Sequence, residues 1–576
     1  MTLDFNYLLV KYMTETHAQR LDILCQKFWT FECYEFPFMA IMAGVQPEEP
    51  ELFREAVSDF ERRAAQAQEM LIELTQISED ALVSDKKMTL ALLRQQLQLI
   101  VDRYRLKDHL RPSLFPAGPD FNTIYFANIT QVSNRKDAQR YFDRLATIPN
   151  FVTDLQNCIQ QGFEQGICYP KVILMRAASA IRANLTSDGL SAPWYKPFSK
   201  VSPSTLQTIQ DIADLTVKLI EENITPAFEG YADFIDSLEP NGKESISCVD
   251  APDGEAFYQM LVKRFTSTDM SAQEIHDLGK SEVARLSKEI DEIVKEAGFD
   301  GNKQAYLEYL NNDPEFTDND AETMQRNVQI ICKEIDAIIP AYFGYMPRIT
   351  YGVKSIPEKL ARSMPPAYAQ PNPADGSHAG VFWITSIPEN CPTYNYTAFS
   401  LHEAWPGHLM HIAIMQEQSS LPEFQRNSSL KYTANIEGWA VYCEWLGQEM
   451  SVYKTVHQQY GRLSSEVWRA SRLVIDTGIH VMDWSRQQAI DYLAEYAPLS
   501  AEAVEAEVDR YIALPAQALA YQLGNITIRQ LRTEIADALG DSFDIRAFHD
   551  AIVTLGPVTL DLLERSVKQK LLGKVA

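Results

Sequence analysis

Apolar residues recur three and four apart, with charges between them, along most of this 576-residue chain. That spacing puts the apolar side chains on one face of a helix, so a helical body is the first thing the sequence demands. LFREAVSDFERRAAQAQEMLIEL (52–74), SAQEIHDLGKSEVARLSKEIDEIVKEAG (271–298) and AETMQRNVQIICKEIDAII (321–339) carry the pattern most clearly. The second opens with Ser271 and Glu274 at capping-box spacing and stops at Gly298. Residues 345–396 differ, being rich in Pro, Gly, Tyr and Asn. They contain GVFWITSI (380–387), whose Val, Phe, Trp and Ile favour a strand. Helical pattern resumes after Tyr396. The expected fold is mostly α, with one small β region just before residues 401–411. No low-complexity run, flexible linker or fixed-period repeat marks a boundary, so one helical body of one or two lobes is expected.

Composition narrows the function. With 46% hydrophobic residues the chain can build a large core, which excludes a disordered or fibrous protein. Its 52 Lys and Arg face 78 Asp and Glu, a net charge of −26. Such a field repels phosphate backbones and anionic lipid, so no nucleic-acid or membrane partner is expected. The eight cysteines (Cys25, Cys33, Cys158, Cys168, Cys248, Cys332, Cys391, Cys443) are scattered without a Cys-x-x-Cys pair, which suggests a reducing compartment. The N-terminal MTLDFNYLLVKYMTETHAQR does not read as a signal peptide. The most apolar segment, 36–45, is half the roughly 20 residues a membrane span needs. A cytoplasmic location is the expectation.

Three of the ten histidines fall within LHEAWPGHLMH, 401–411. His402-Glu403 matches the start of the His-Glu-x-x-His zinc helix, in which two histidines one turn apart hold the metal and the Glu acts as general base. Here the next histidine, His408, follows at i+6. At about 100° per residue the two would sit roughly 120° apart on a regular helix and could not share an ion. Pro406 removes that obstacle. It lacks the N–H that would bond the His402 carbonyl, so the helix must bend or bulge, and Gly407 lets the backbone follow. With two residues looped out, His402 and His408 behave as an i+4 pair. The competing reading makes His402 a helix-end residue and buries His408 and His411 in a core.

A third ligand is expected from the next helix, KYTANIEGWAVYCEWLGQEM (431–450). Glu437 and Glu444 lie seven apart on one face, beside Ile436, Trp439 and Trp445, where a carboxylate needs a partner, a metal or the rim. Glu437 is assigned to the metal, giving a His2Glu site with an open position, and Glu444 is expected to be solvated. Further on, Arg469, Arg472, Asp476 and His480 fall within about 60° of one another on a helix. By spacing alone they form a solvated face with an Arg–Asp pair, or the wall of a polar cavity that takes a substrate carboxylate. Tyr511 precedes a break at Pro515, and Gln517 and Tyr521 are one turn apart, as core or as site residues.

Taken in order, His402-Glu403-Ala-Trp-Pro406-Gly407-His408, Glu437-Gly438-Trp439-Ala440, Arg469-Ala-Ser-Arg472-Leu-Val-Ile-Asp476-Thr-Gly-Ile-His480, Arg510-Tyr511 and Pro515-Ala-Gln517-Ala-Leu-Ala-Tyr521 resemble the bacterial "domain of unknown function 885" family. The likeness also takes in 266–286 and 365–386. That family is similar in fold to the gluzincin-like, α-helical zinc peptidases related to angiotensin-converting enzyme and the thimet-type oligopeptidases. The resemblance implies a two-lobed metallopeptidase-like fold with a central channel. Residues 161–576 would be the catalytic region and 1–160 an N-terminal helical region of the same body. It further implies His402, His408 and Glu437 as metal ligands, Glu403 as base, and Arg472, Asp476, Tyr511 and Gln517 as substrate-binding residues. Residues 380–387 would be the edge strand along which an extended peptide lies. Two positions depart from the family: Ala516 stands in place of Gly, and Gln522 in place of Lys. The export or lipoprotein signal carried by many members is not read at this N-terminus.

The resulting expectation is a zinc-dependent hydrolase of short peptides or peptide-like amides, holding one ion. Glu403 is its general base, and Tyr521 or His480 the donor to the oxyanion. Iron, manganese or cobalt could replace zinc. Dipeptidase, carboxypeptidase and oligopeptidase modes stay open, as does the oligomeric state. The alternatives are a metal-dependent amidase of a specialised metabolite or modified peptide, and a non-catalytic helical binding protein that keeps the fold.

Overall fold

Ser271 and Glu274 form the cap their spacing predicts. In the computed structural model, which describes residues 15–361, 364–374, 376–497 and 499–573, the Ser271 hydroxyl accepts the Glu274 N–H at 3.3 Å and the Glu274 carboxylate accepts the Ser271 N–H at 2.8 Å. The first fourteen residues, on which the reading of the N-terminus partly rests, lie outside the described residues. The other periodic segments are helices too. The first is shorter than its pattern: α1 spans Val57–Leu74, because the Asp59 carboxylate accepts the Ala56 N–H at 3.1 Å and starts the helix there. Helices α2 (Ala272–Glu296) and α3 (Ala321–Ile338) match their patterns closely. Among the described residues no helix is long and apolar enough to cross a membrane.

The chain divides into two compact units, one of residues up to Phe257 with Ile512–Leu514, the other of Tyr258–Tyr511 with the residues from Pro515 on. The first is helical, with a buried core in which Trp194 stacks on Phe228 at 5.5 Å. The Tyr141 hydroxyl donates to the Trp194 carbonyl at 2.5 Å.

The second unit holds every predicted site residue. Its strands β1 (Tyr351–Ser355), β2 (Ala367–Gln370) and β3 (Gly380–Ile384) form one sheet in the order β1-β3-β2. β3 runs parallel to β1 and antiparallel to β2. The expected edge strand is therefore the central one. The reason is its apolarity: Phe382 and Ile384 are fully buried, and a strand with such residues belongs in the middle of a sheet. The outer side of β1 is covered by α3, where Gln329 donates to the Val353 carbonyl at 3.3 Å and Gln325 accepts the Ser355 N–H at 2.9 Å.

Six further helices build the remainder relevant here: α4 (Tyr396–Glu403), α5 (His408–Glu417), α6 (Thr433–Glu449), α7 (Val456–Val481), α8 (Ala501–Ala513) and α9 (Ala520–Leu539). Val283, Leu286 and Ile290 of α2 share a core with Leu463, Val467 and Ala470 of α7. Met324, Val328 and Cys332 of α3 share another with Phe382 and Ile384 of the sheet and with Ala404 and Leu409. The second core seats the sheet against the break between α4 and α5.

Candidate metal centre

Pro406 does more than bulge a helix. The four residues Ala404–Gly407 lie outside any helix, so the predicted single helix is two, with His402 near the end of α4 and His408 at the start of α5. Gly407 is required there by close approach: a Cβ would lie 1.9 Å from the His402 carbonyl oxygen and 2.4 Å from that of Leu401. The Trp439 indole of α6 donates to the Pro406 carbonyl at 2.9 Å and ties the break to the next helix. The outcome is the pairing that the i+6 spacing alone forbids. The two imidazoles face each other at 4.7 Å between centroids, nearly perpendicular.

Glu437 completes a triangle. Its Oε2 lies 3.5 Å from His402 Nε2 and 3.3 Å from His408 Nε2, yet it makes no hydrogen bond of acceptable geometry. One carboxylate oxygen thus stands close to both ring nitrogens without bonding to either. Ligands about 2.0–2.1 Å from a tetrahedral ion are separated by about 3.3–3.4 Å, so these separations fit a zinc-sized ion. A Glu403 carboxylate oxygen lies within 4.8 Å of a nitrogen of both imidazoles. Glu403 and His408 are each 9% exposed.

Behind His402 stands a residue that sequence reasoning misplaced. Glu444, expected to be solvated, is buried, and its Oε1 accepts from His402 Nδ1 at 2.8 Å. Glu437 and Glu444, two turns apart on α6, thus take the two nitrogens of one ring. Arg469 Nη2 balances Glu444 at 3.1 Å, and the Tyr453 hydroxyl donates to the Glu444 carbonyl at 2.7 Å. Burial opposes charge on His402, but the nearby Glu437 carboxylate and the bond to Glu444 outweigh it and raise the imidazole to about 9. Burial likewise opposes charge on Glu437, and the two histidines overcome it and hold the carboxylate well below its ordinary range. The pair of carboxylates calls for positive charge at this point, which a divalent ion would supply. A signal for Glu444 was available: a carboxylate on a helix otherwise lined by Tyr442, Cys443, Trp445 and Leu446 must have a partner.

The α7 stripe is buried throughout, which corrects the solvated-face reading, and it splits into two roles. Arg469 pairs with Glu444 behind His402. Asp476 and His480 do not: at about 1.5 Å per residue, His480 lies about 16 Å along the helix from Arg469. His480 Nε2 is 3.0 Å from the Tyr511 carbonyl and buttresses the backbone there. Asp476 accepts from the Tyr258 hydroxyl at 2.6 Å and from the Ala516 N–H at 3.0 Å. Among the described residues it pairs with no arginine, and it is fully buried. Burial pushes its carboxyl up to about 7.

Arg472 pairs with Glu507 at 3.3 Å, its Nε donates to the Tyr511 hydroxyl at 3.0 Å, and it packs between the rings of Trp468 and Tyr521, 4.6 Å from each. Tyr511 is fully buried. Its hydroxyl donates to Glu507 at 2.8 Å and accepts from Trp468 at 3.2 Å, so it helps hold Arg472. Gln517 accepts from Arg510 at 2.6 Å. Tyr521 is only half-buried. It lies one turn before Gly524, against which Gly438 packs so closely that a Cβ on Gly438 would be 2.4 Å from the Gly524 Cα. At that crossing of α6 and α9, Tyr521 stands one turn from the contact on its helix and Glu437 one residue from it on the other. Gln522, by contrast, turns away and donates to Glu282 at 3.2 Å.

Solved structures share this architecture. The crystal structure of the "putative lipoprotein" from Colwellia psychrerythraea matches with a TM-score of 0.90 and 25% identity, over 97% of this chain and 100% of that one. A "putative lipoprotein of unknown function" from Shewanella oneidensis matches with a TM-score of 0.72 and 17% identity, over 96% and 99%, and is a likeness of fold. No curated protein matches the chain. The family model described as "Bacterial protein of unknown function (DUF885)" matches residues 37–567, and with that span the chain belongs to the DUF885 family.

Proposed function

We propose that this chain is a metal-dependent hydrolase of amide bonds in short peptides or peptide-like substrates, with a gluzincin-like site. The observation that carries the reading is the Glu437 carboxylate oxygen at 3.3 and 3.5 Å from two imidazole nitrogens with no hydrogen bond to either. His402, His408 and Glu437 would hold the ion, and zinc is the usual occupant of such a donor set. When bound, such an ion lowers the pKa of a water to about 7 and polarises a carbonyl. Glu403 takes the proton of the attacking water and delivers it to the leaving amine. Glu444 fixes the ring of His402 so that Nε2 faces the ligand position. Tyr521 donates to the developing oxyanion, a contribution of about 3–4 kcal/mol for such donors. Arg472, stacked on Tyr521, brings positive charge to that side and favours substrates with a nearby carboxylate.

Two measurements test this: metal content of wild type and His408→Ala, and turnover of a peptide library by wild type and Glu403→Gln. About one ion per chain, lost in His408→Ala, with turnover lost in a Glu403→Gln that keeps its metal, supports the proposal. Full activity in Glu403→Gln overturns it. Bound metal with no peptide turnover moves the reading to an amidase of a modified peptide or metabolite. No metal, even after incubation with zinc, leaves a binding protein. We also propose a cytoplasmic location, on the scattered cysteines. The name given to the two structural relatives argues for the envelope, and cell fractionation separates the two.

A further inference from the structure

Glu444 backs His402 through Nδ1, and no protein group does the same for His408. The Nδ1 of His408 is buried and has no hydrogen-bond partner among the described residues. An imidazole that holds a metal through Nε2 carries its proton on Nδ1. That N–H is almost always taken by a carboxylate, a backbone carbonyl or a water. At His408 neither a carboxylate nor a carbonyl takes it.

His411 is the next polar side chain along α5. Its N–H donates to the Gly407 carbonyl at 3.0 Å, so residues 408–411 make a regular helical turn. Residues three apart on such a turn have their Cβ atoms about 5–6 Å from each other. The His411 ring lies against the Trp439 ring, 5.3 Å between centroids, and the Trp439 indole donates to the Pro406 carbonyl. These contacts fix the ring against α6, beside the break that seats His408. His411 is 0% exposed, yet neither of its ring nitrogens has a partner among the described residues. Asn435 lies one turn before Trp439 on the same face of α6. It is 1% exposed, and its amide oxygen and nitrogen are both unpartnered. Burial pushes His411 down to about 3, so the ring is neutral and offers one N–H and one acceptor nitrogen. This buried stretch of α5 and α6 therefore holds donors and acceptors that the protein leaves unmet. Buried polar groups are hydrogen-bonded in native proteins, and an enclosed water with two to four polar partners is the usual means where side chains do not meet.

We propose that His411 is a positioning residue for His408, acting through an ordered water that accepts from His408 Nδ1–H and donates to a His411 nitrogen. Asn435 supplies a further partner on the same side of Trp439. The inference rests on the reading of His408 as a metal ligand. The water holds the tautomer that leaves His408 Nε2 free to ligate, as Glu444 does for His402. It does so without negative charge. The two histidines are thus backed unequally, one by a carboxylate balanced by Arg469, the other by neutral groups.

Two measurements on the full-length protein test this. The first is a crystal structure of the metal-free wild type at a resolution that shows waters. One ordered water is expected within hydrogen-bond distance of His408 Nδ1 and of a His411 nitrogen. The second is zinc affinity, by chelator competition, of wild type, His411→Leu and His411→Gln. Leucine fills the space without a polar atom, whereas glutamine can bond the same water. Affinity should fall about tenfold in His411→Leu and stay within about threefold of wild type in His411→Gln. A wild-type structure with no water at that place overturns the bridge, and it decides the matter even if His411→Leu does not fold. Unchanged affinity in His411→Leu, or an equal loss in both variants, overturns the positioning role. A wild type that takes up no zinc overturns the proposed function and the positioning role with it, while the crystal structure still decides the bridge.

Discussion

His402 gives its Nδ1 to Glu444 at 2.8 Å and leaves its Nε2 beside Glu437 at 3.5 Å. One imidazole is thereby clasped by two carboxylates from a single helix. The inner carboxylate is itself balanced by Arg469, so a change at Glu444 reaches the ligand ring without touching a ligand.

Glu444→Gln is therefore expected to weaken metal binding about 10–100-fold, the range for losing such a partner. The glutamine can still accept from Nδ1, but it no longer compensates Arg469 or raises the basicity of the ring. Competition with a chromogenic chelator measures the affinity directly. An unchanged affinity would show that the ring is oriented by packing alone.

Ala516 sits at φ +65°, a left-handed conformation that costs an L-residue roughly 1–2 kcal/mol. Its N–H is held there by Asp476. Ala516→Gly keeps that N–H and relieves the strain, while adding roughly 0.5–1 kcal/mol of unfolded-chain entropy. A net gain of about 0.5–1 kcal/mol is expected as a higher urea midpoint. A lower midpoint would mean that the turn is not strained.

Asp476 predicts a pH dependence. Its carboxyl stands at about 7 in the folded chain, against an ordinary value of 3.8. Between those values the folded state holds a proton that the unfolded state has released, so its contribution is complete below about pH 4 and is lost as pH rises through about 7. Asp476→Asn, which can accept the same Tyr258 and Ala516 bonds, should gain on wild type between pH 5 and pH 8 by an amount on the order of a few kcal/mol. Parallel melting curves of the two proteins across that range would exclude Asp476 as the group.

Much of this was legible in the sequence, for reasons that differ by residue. Helices α2 and α3 follow from periodicity and caps, because both are local. Glu437 follows from its place among apolar neighbours. Pro406 announced a distortion but not its extent, since whether a helix bulges or breaks depends on what receives the freed backbone, here the Trp439 indole. Glu444 was placed in solvent, and the partners of His480 and Tyr511 were not foreseen, because each is decided by a group on another helix: Arg469, the backbone of residue 511 and Arg472 respectively. Helical spacing reports a shared face and is silent on what that face meets. The same holds for β3: its composition marked a strand, and only the pairing with β1 and β2 made it the central one.

The crossing of α6 and α9 yields the most discriminating pair of substitutions. A Cβ on Gly438 would meet the Gly524 backbone at 2.4 Å, whereas one on Gly230, in the helix Thr225–Leu238, would meet nothing within 4 Å. Both are helical glycines, so intrinsic propensity alone predicts a gain of roughly 0.5–1 kcal/mol for either alanine. At Gly230 that gain should appear. At Gly438 it should be overridden, because backbone cannot rotate away as a side chain can, and overpacking typically costs about 1–3 kcal/mol. Glu437 precedes Gly438, so the same displacement moves a proposed metal ligand. Gly438→Ala should therefore lose both unfolding midpoint and metal affinity while Gly230→Ala keeps its affinity. If Gly438→Ala is destabilised yet binds metal as wild type does, the helix crossing supports the fold without setting the position of Glu437, and the ligand assignment would have to stand on the two histidines alone.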